Sequence, residues 1–164
     1  MFQLFKSMDV KSFDHQFPHL AGQDTYRMSL ADVDPEVDGV YDLVDYYCLD
    51  LDCDCRKVII FVLDSRKQQM ATIAYSWESI SFYIALGADQ EFAESLSRGI
   101  LEPLAPQSKY AQHFLNAFLW MATDQGFTDR FKDRYRLFRD ECTKKGQSHP
   151  QSNNVIKFPL NKCG

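Results

Sequence analysis

Residues 40–64 read VYDLVDYYCLDLDCDCRKVIIFVLD. Two runs rich in β-branched and aromatic residues, 40–48 and 56–64, flank a short stretch of Cys and Asp. Both runs have the composition of strands. Alternation in the first is imperfect, with Asp42 and Asp45 as its charges. The second is almost wholly apolar, which predicts a central strand covered on both faces. The connection between them carries Cys48, Cys53 and Cys55, spaced C-x4-C-x-C among Asp50, Asp52 and Asp54.

On the N-terminal side, TYRMSLAD (25–32) reads as a short strand and DVDPEVDG (32–39) as a turn built on Asp, Pro and Gly. On the C-terminal side, SRKQQ turns the chain into a third strand, MATIAYSW (70–77). This predicts an antiparallel β-meander with the cysteines joining its first two long strands. The period then becomes helical. ESISFYIALG and DQEFAESLSRG end on Gly87 and Gly99, each a suitable C-terminal glycine. After the Pro-punctuated LEPLAPQS, Ser108 is expected to cap a helix over 109–123, and Gly126 to break it. Thr128 is expected to cap the last helix. There Phe127, Phe131, Tyr135, Phe138 and Cys142 recur at helical spacing as one apolar stripe.

The fold class is therefore α+β, a meander followed by three to four helices packed on one face. Residues 1–146 are expected to form one domain. The polar, breaker-rich 147–164 is expected to be a flexible tail, whose VIKFPL segment has a sheet edge as its alternative despite Pro159. In SFDHQFPHLAG, His15 and His19 would share a face on a helix. Pro18 argues against a regular helix across both, so a loop or edge segment is the expectation.

The chain has 164 residues, 45% hydrophobic and 25% charged, which suits one globular domain. Its longest apolar runs, Val58–Leu63 and Ala117–Ala122, are far shorter than the roughly 20 residues a membrane helix needs. No signal peptide is read at the N-terminus, so a cytoplasmic location is the default expectation. Thiols stay reduced there, and clustered cysteines then point to metal or thiol chemistry rather than disulfides. Nine acids and no Lys or Arg lie between Asp32 and Asp54, a surface that repels phosphates and argues against nucleic acid. The bases Arg130, Lys132, Arg134, Arg136, Arg139, Lys144 and Lys145 are interrupted by Asp129, Asp133, Asp140 and Glu141 and read as a solvated helix face, with an RNA-binding stripe as the weaker alternative.

Three thiolates converging from one hairpin suit zinc, which takes sulfur and imidazole ligands tetrahedrally. Cys48, Cys53 and Cys55 are the expected ligands. Candidates for the fourth are Asp50, Asp52, Asp54, His113, Cys142, Cys163, an N-terminal His, or water as in open catalytic sites. Reduced structural or reactive thiols are the alternative. A calcium loop does not fit, because the downstream Gly and Glu are missing. Nor is there a nucleophile elbow or a phosphate loop.

DLVDYYCLDLDCDCRKVIIFVL, ATIAYSWES, LEPLAPQSKYAQHFL and FTDRFKDRYRLFRDE occur in that order. In this the chain resembles a family of uncharacterised bacterial proteins with a Tyr-Cys-x4-Cys-x-Cys-Arg motif. Some members carry a C-terminal SEC-C zinc motif, a Cys-rich knuckle. The resemblance covers roughly residues 40–142 and implies metal binding through Cys48, Cys53 and Cys55, without supplying a reaction. The chain's own end, FPLNKCG, has one Cys and no Cys-x-Cys knuckle. The expected function is a small zinc-binding protein acting as an interaction or adapter module for a protein partner. The alternative is an enzyme using an open metal site or a reactive Cys-x-Cys thiolate; Arg56 is the nearby positive charge that would lower a thiol pKa.

Overall fold

The expected meander is present as three consecutive antiparallel strands. The structure, a computed structural model, describes residues 6–20, 25–145 and 156–160. In chain order the elements begin β1 (Lys6–Ser12), α1 (Phe13–Gln16), β2 (Tyr26–Leu30), β3 (Gly39–Cys48), β4 (Lys57–Leu63) and β5 (Gln69–Ser76). They continue as α2 (Ile80–Ala85), α3 (Gln90–Arg98), β6 (Ile100–Leu101), α4 (Ala111–Met121), α5 (Gln125–Lys144) and β7 (Ile156–Leu160). The architecture is α+β, with one sheet ordered β6-β5-β4-β3-β1-β7 and β2 also paired to β3.

β3 carries two partners on one edge. β2 pairs along Gly39–Leu43, and β1 pairs along Tyr46–Cys48. Asp45 lies where they part, and it is buried. Its carboxylate accepts from Arg134 at 2.7 Å and from the Tyr47 hydroxyl at 2.8 Å. The Arg134 guanidinium also lies 4.4 Å from the centroid of the Phe13 ring. The basic run of α5 is therefore not a wholly solvated face: Arg134 turns in to neutralise a buried Asp.

Side chains alternate cleanly about the sheet. One face offers Tyr41, Leu43, Tyr47, Val58, Ile60, Val62, Ile73 and Tyr75 to α4 and α5, which contribute Phe114, Phe118, Phe131 and Phe138. The other face carries Val10, Cys48, Ile59, Phe61 and Ala74. α2 and α3 form a smaller cluster around Tyr83, Ala93 and Leu96. Gly99 ends α3 at φ 92, a conformation that favours glycine, and Leu119 of α4 closes on it.

Several boundaries differ from those expected. Asp124 caps α5, its Oδ1 accepting from Phe127 N at 2.9 Å, so Gly126 lies inside the first turn and does not break the helix. Thr128 sits within the helix and donates to Gln125 O. Ser108 accepts from Tyr110 N in the turn before α4 and is not its N-cap. Within 147–164, residues 156–160 form β7 on β1 rather than a free tail. An edge position tolerates Pro159, which lacks a donor. The remainder of that segment lies outside the described residues. The helix at His15 ends at Gln16, before Pro18 and His19. No helix among the described residues is long and apolar enough to cross a membrane.

Candidate metal centre

Cys48 ends β3, and the register places it opposite Val10 of β1. The β3–β4 ladder ends at the Tyr46–Ile59 pair; Cys48 lies just past it, and Lys57, opposite Ser76 of β5, heads β4. Val10, Cys48, Lys57 and Ser76 are all buried at this end of the sheet, and Val10 and Cys48 pack in the cluster away from α4 and α5. Residues 49–56 loop over this end. Asp50 shapes the loop: its Oδ1 accepts from Asp52 N at 3.0 Å and its carbonyl from Cys53 N at 3.2 Å.

Arg56 then adopts φ 43, unusual for a residue with a side chain, and this kink returns the chain into β4. Both ends of its guanidinium are held, by Asp54 at 2.9 and 3.0 Å and by Glu78 at 3.0 Å, and it stacks 4.5 Å from the Phe82 ring. Arg56 is therefore committed to carboxylates, and the kink is fixed from α2. The buried Tyr83 hydroxyl meets Ser76 Oγ and donates to the carbonyls of Cys55 (2.9 Å) and Arg56 (3.2 Å). From the other side, Arg139 of α5 donates to the Asp50 carbonyl at 2.5 Å and the Leu51 carbonyl at 2.7 Å.

Held in this way, Cys48, Cys53 and Cys55 converge, their Sγ atoms all within 4.8 Å of one another. Zinc–sulfur bonds of about 2.3 Å at tetrahedral angles would put sulfurs about 3.8 Å apart, so binding an ion asks for a closure of at most about 1 Å per pair. Cys48 and Cys55 are buried and Cys53 is half-buried, so the loop side of Cys53 is the approach.

The thiols are electronically unequal. Hydrogen bonds from Cys48 and then Cys55 hold the Cys53 thiol far below its ordinary range. The hydrogen bond to Cys53 raises Cys48, and bonds to Cys48 and Cys53, with burial, raise Cys55. The hydrogen bonding among the three therefore favours the thiolate form at Cys53 over Cys48 and Cys55.

Among the described residues no further His, Cys, Asp or Glu joins the group. Asp50 and Asp54 are engaged with Asp52 N and Arg56. His113 rides on α4, and Cys142 packs into the cluster on the opposite face of the sheet. His15 hydrogen-bonds Ser12 at 2.6 Å, and His19 lies exposed beside Phe17. Cys163 lies outside the described residues. Sequence reasoning missed Tyr83 and Arg139 as supports of the site; only the packing of α2 and α5 on the loop brings them there.

No family model, curated protein or solved structure matches this chain.

Proposed function

We propose that this chain is a small cytoplasmic zinc-binding protein in which Cys48, Cys53 and Cys55 clip the β3–β4 hairpin, leaving the rest of the domain to engage a protein partner. The observation that carries the reading is the convergence of three sulfurs to within 4.8 Å, two of them buried. Thiolates at this spacing match zinc in ligand type and geometry. The resemblance to the Tyr-Cys-x4-Cys-x-Cys-Arg family supports the same three ligands. Trp120, 77% exposed on α4, supports the interaction role, because aromatic side chains are favoured at interfaces.

A second reading rests on Cys53 itself. A half-buried thiolate hydrogen-bonded by two thiols is a nucleophile, and the chain would then act through Cys53. Elemental analysis of protein purified without a His tag or chelator separates the two. About one zinc per chain, lost in the Cys53→Ser/Cys55→Ser variant together with thermal stability, is the expected result. Metal-free protein with three freely titrating thiols and an unchanged melt would overturn the zinc reading in favour of thiol chemistry.

A further inference from the structure

Cys53 differs from its two neighbours in what can reach it. Cys48 and Cys55 are 2% and 1% exposed, whereas Cys53 is half-buried. A small oxidant arriving from solvent therefore meets Cys53 first. Cysteines that take part in reversible oxidation are accessible and lie beside a second thiol able to resolve the oxidised one. Cys53 has two such neighbours, with all three Sγ atoms within 4.8 Å of one another. A disulfide bond is about 2.05 Å long, so joining any pair asks for a closure of at most about 2.8 Å.

The two neighbours are not equivalent. The Cys48 thiol donates to the Asp50 carbonyl at 3.9 Å, and the Cys53 amide donates to the same oxygen at 3.2 Å. Cys48 Sγ is thus aimed into the turn that carries Cys53. Residues 49–52 lie between them, enough chain to adjust while β3 and β4 stay in place. Cys55 is only two residues from Cys53, and closing that pair needs a sharp fold in the backbone between them. The Tyr83 hydroxyl holds the carbonyls of Cys55 and Arg56 at 2.9 and 3.2 Å, and Arg56 already sits at φ 43. This end of the loop is therefore fixed.

We propose that Cys53 is the site of oxidation by peroxides, with Cys48 as its resolving thiol, and that the resulting Cys48–Cys53 disulfide is the state in which the centre releases its metal. This rests on the zinc reading above and adds to it the regulation of the same site. In the first step Cys53 Sγ attacks one peroxide oxygen. The S–O bond forms, the O–O bond breaks, and the thiol proton leaves with the other oxygen as water. In the second step Cys48 Sγ attacks the Cys53 sulfenic sulfur. The S–S bond forms, the S–O bond breaks, and the departing oxygen takes the Cys48 proton to give a second water. Two electrons pass from the pair of sulfurs to the peroxide. Cys55 remains as a lone thiol, too few donors to retain zinc.

The experiment treats the full chain, metal-free and zinc-loaded, with hydrogen peroxide. Free thiols are alkylated, disulfides are mapped by mass spectrometry, and zinc content is measured before and after. Wild type should form a Cys48–Cys53 bridge that dithiothreitol reverses, and zinc should leave in step with the bridge. Cys48→Ser should stall at the Cys53 sulfenic acid, which dimedone traps. Cys55→Ser should bridge as wild type does. Cys53→Ser should slow oxidation of Cys48 and Cys55 by about 10-fold or more, because both then react only when the loop opens. Circular dichroism checks the fold, and if a serine variant unfolds, the wild-type map decides alone. A Cys53–Cys55 bridge, a bridge from Cys53 to Cys142 or Cys163, overoxidation of Cys53 without a bridge, or zinc retained in bridged protein overturns the proposal. Wild type that takes up no zinc defeats the zinc reading itself, whereas zinc-loaded wild type without the Cys48–Cys53 bridge defeats this inference alone.

Discussion

Replacing Arg139 by Met tests whether α5 holds the cysteine loop in its metal-ready shape. The guanidinium gives two hydrogen bonds, to the Asp50 carbonyl at 2.5 Å and the Leu51 carbonyl at 2.7 Å, across 88–89 residues of chain. Met preserves most of the apolar stem, so the change isolates those bonds. Hydrogen bonds from a charged donor contribute about 1.5–3 kcal/mol each, which sets a ceiling near 6 kcal/mol. Asp50 and Leu51 are only half-buried, so water replaces part of what is lost, and a net cost of about 2–3 kcal/mol is expected. For a chain of this size that lowers Tm by roughly 4–12 °C. A local loss of about 2 kcal/mol also makes opening of the loop about 30-fold more frequent. Cys48 and Cys55 react only when the loop opens, so their modification by a disulfide reagent in metal-free protein should accelerate by that factor. Cys53, already half-exposed, should change little. The assay is stopped-flow thiol titration beside a thermal melt. A Tm within about 2 °C of wild type, with unchanged rates for the two buried thiols, would refute the idea that α5 clamps the loop.

Two further outcomes follow from buried groups. Arg134→Met leaves Asp45 charged in the core with only the Tyr47 hydroxyl, and should cost about 3–5 kcal/mol in chemical denaturation. Changing Arg134 and Asp45 together to Met and Leu should recover much of that loss. Metal binding should strengthen with pH. Cys48 and Cys55 are raised and hold their protons at neutral pH, while Cys53 has already lost its own. Binding therefore expels about two protons per ion, and Kd should fall about 100-fold per pH unit across the neutral range. Calorimetry in buffers of different ionisation enthalpy counts those protons; a count near three would mean that Cys53 is not the thiolate.

The meander and the α5 stripe were legible because each depends on a local period. VIIFVL has to be buried on both faces wherever it sits, and Phe131, Tyr135 and Phe138 fall on one side of any helix. β1 was not legible: KSMDVKS has little strand character and becomes a strand by lying between β3 and β7. The start of α5 was misjudged because Gly126 outweighed Asp124, although a capping carboxylate readily carries a helix through a glycine in its first turn. At the site, the three cysteines were legible from spacing alone. Their supports were not, since nothing in the order of residues says that Arg139 reaches a loop closed some ninety positions earlier. The burial of Lys57 was equally hidden: a lysine at the head of an apolar strand reads as a solvated end.

The loop's charges explain why a cation belongs there. Residues 49–56 carry Asp50, Asp52 and Asp54 in addition to the cysteines, and the backbone bends through a left-handed Arg56. Apolar burial stabilises only part of this turn: Leu49 and Cys55 are buried, while Leu51 is half-exposed. What holds it is positive charge placed from two directions: Arg56 on Asp54, and Arg139 from the helix layer on the Asp50 and Leu51 carbonyls. Each acts on a different part of the loop, and neither lies at the meeting point of the three sulfurs. With metal absent, thiolates crowded at that point would repel one another. A divalent ion removes the repulsion and fixes the last unclamped part of the turn, so on this reading the ion completes a set of cationic contacts that the fold has otherwise supplied.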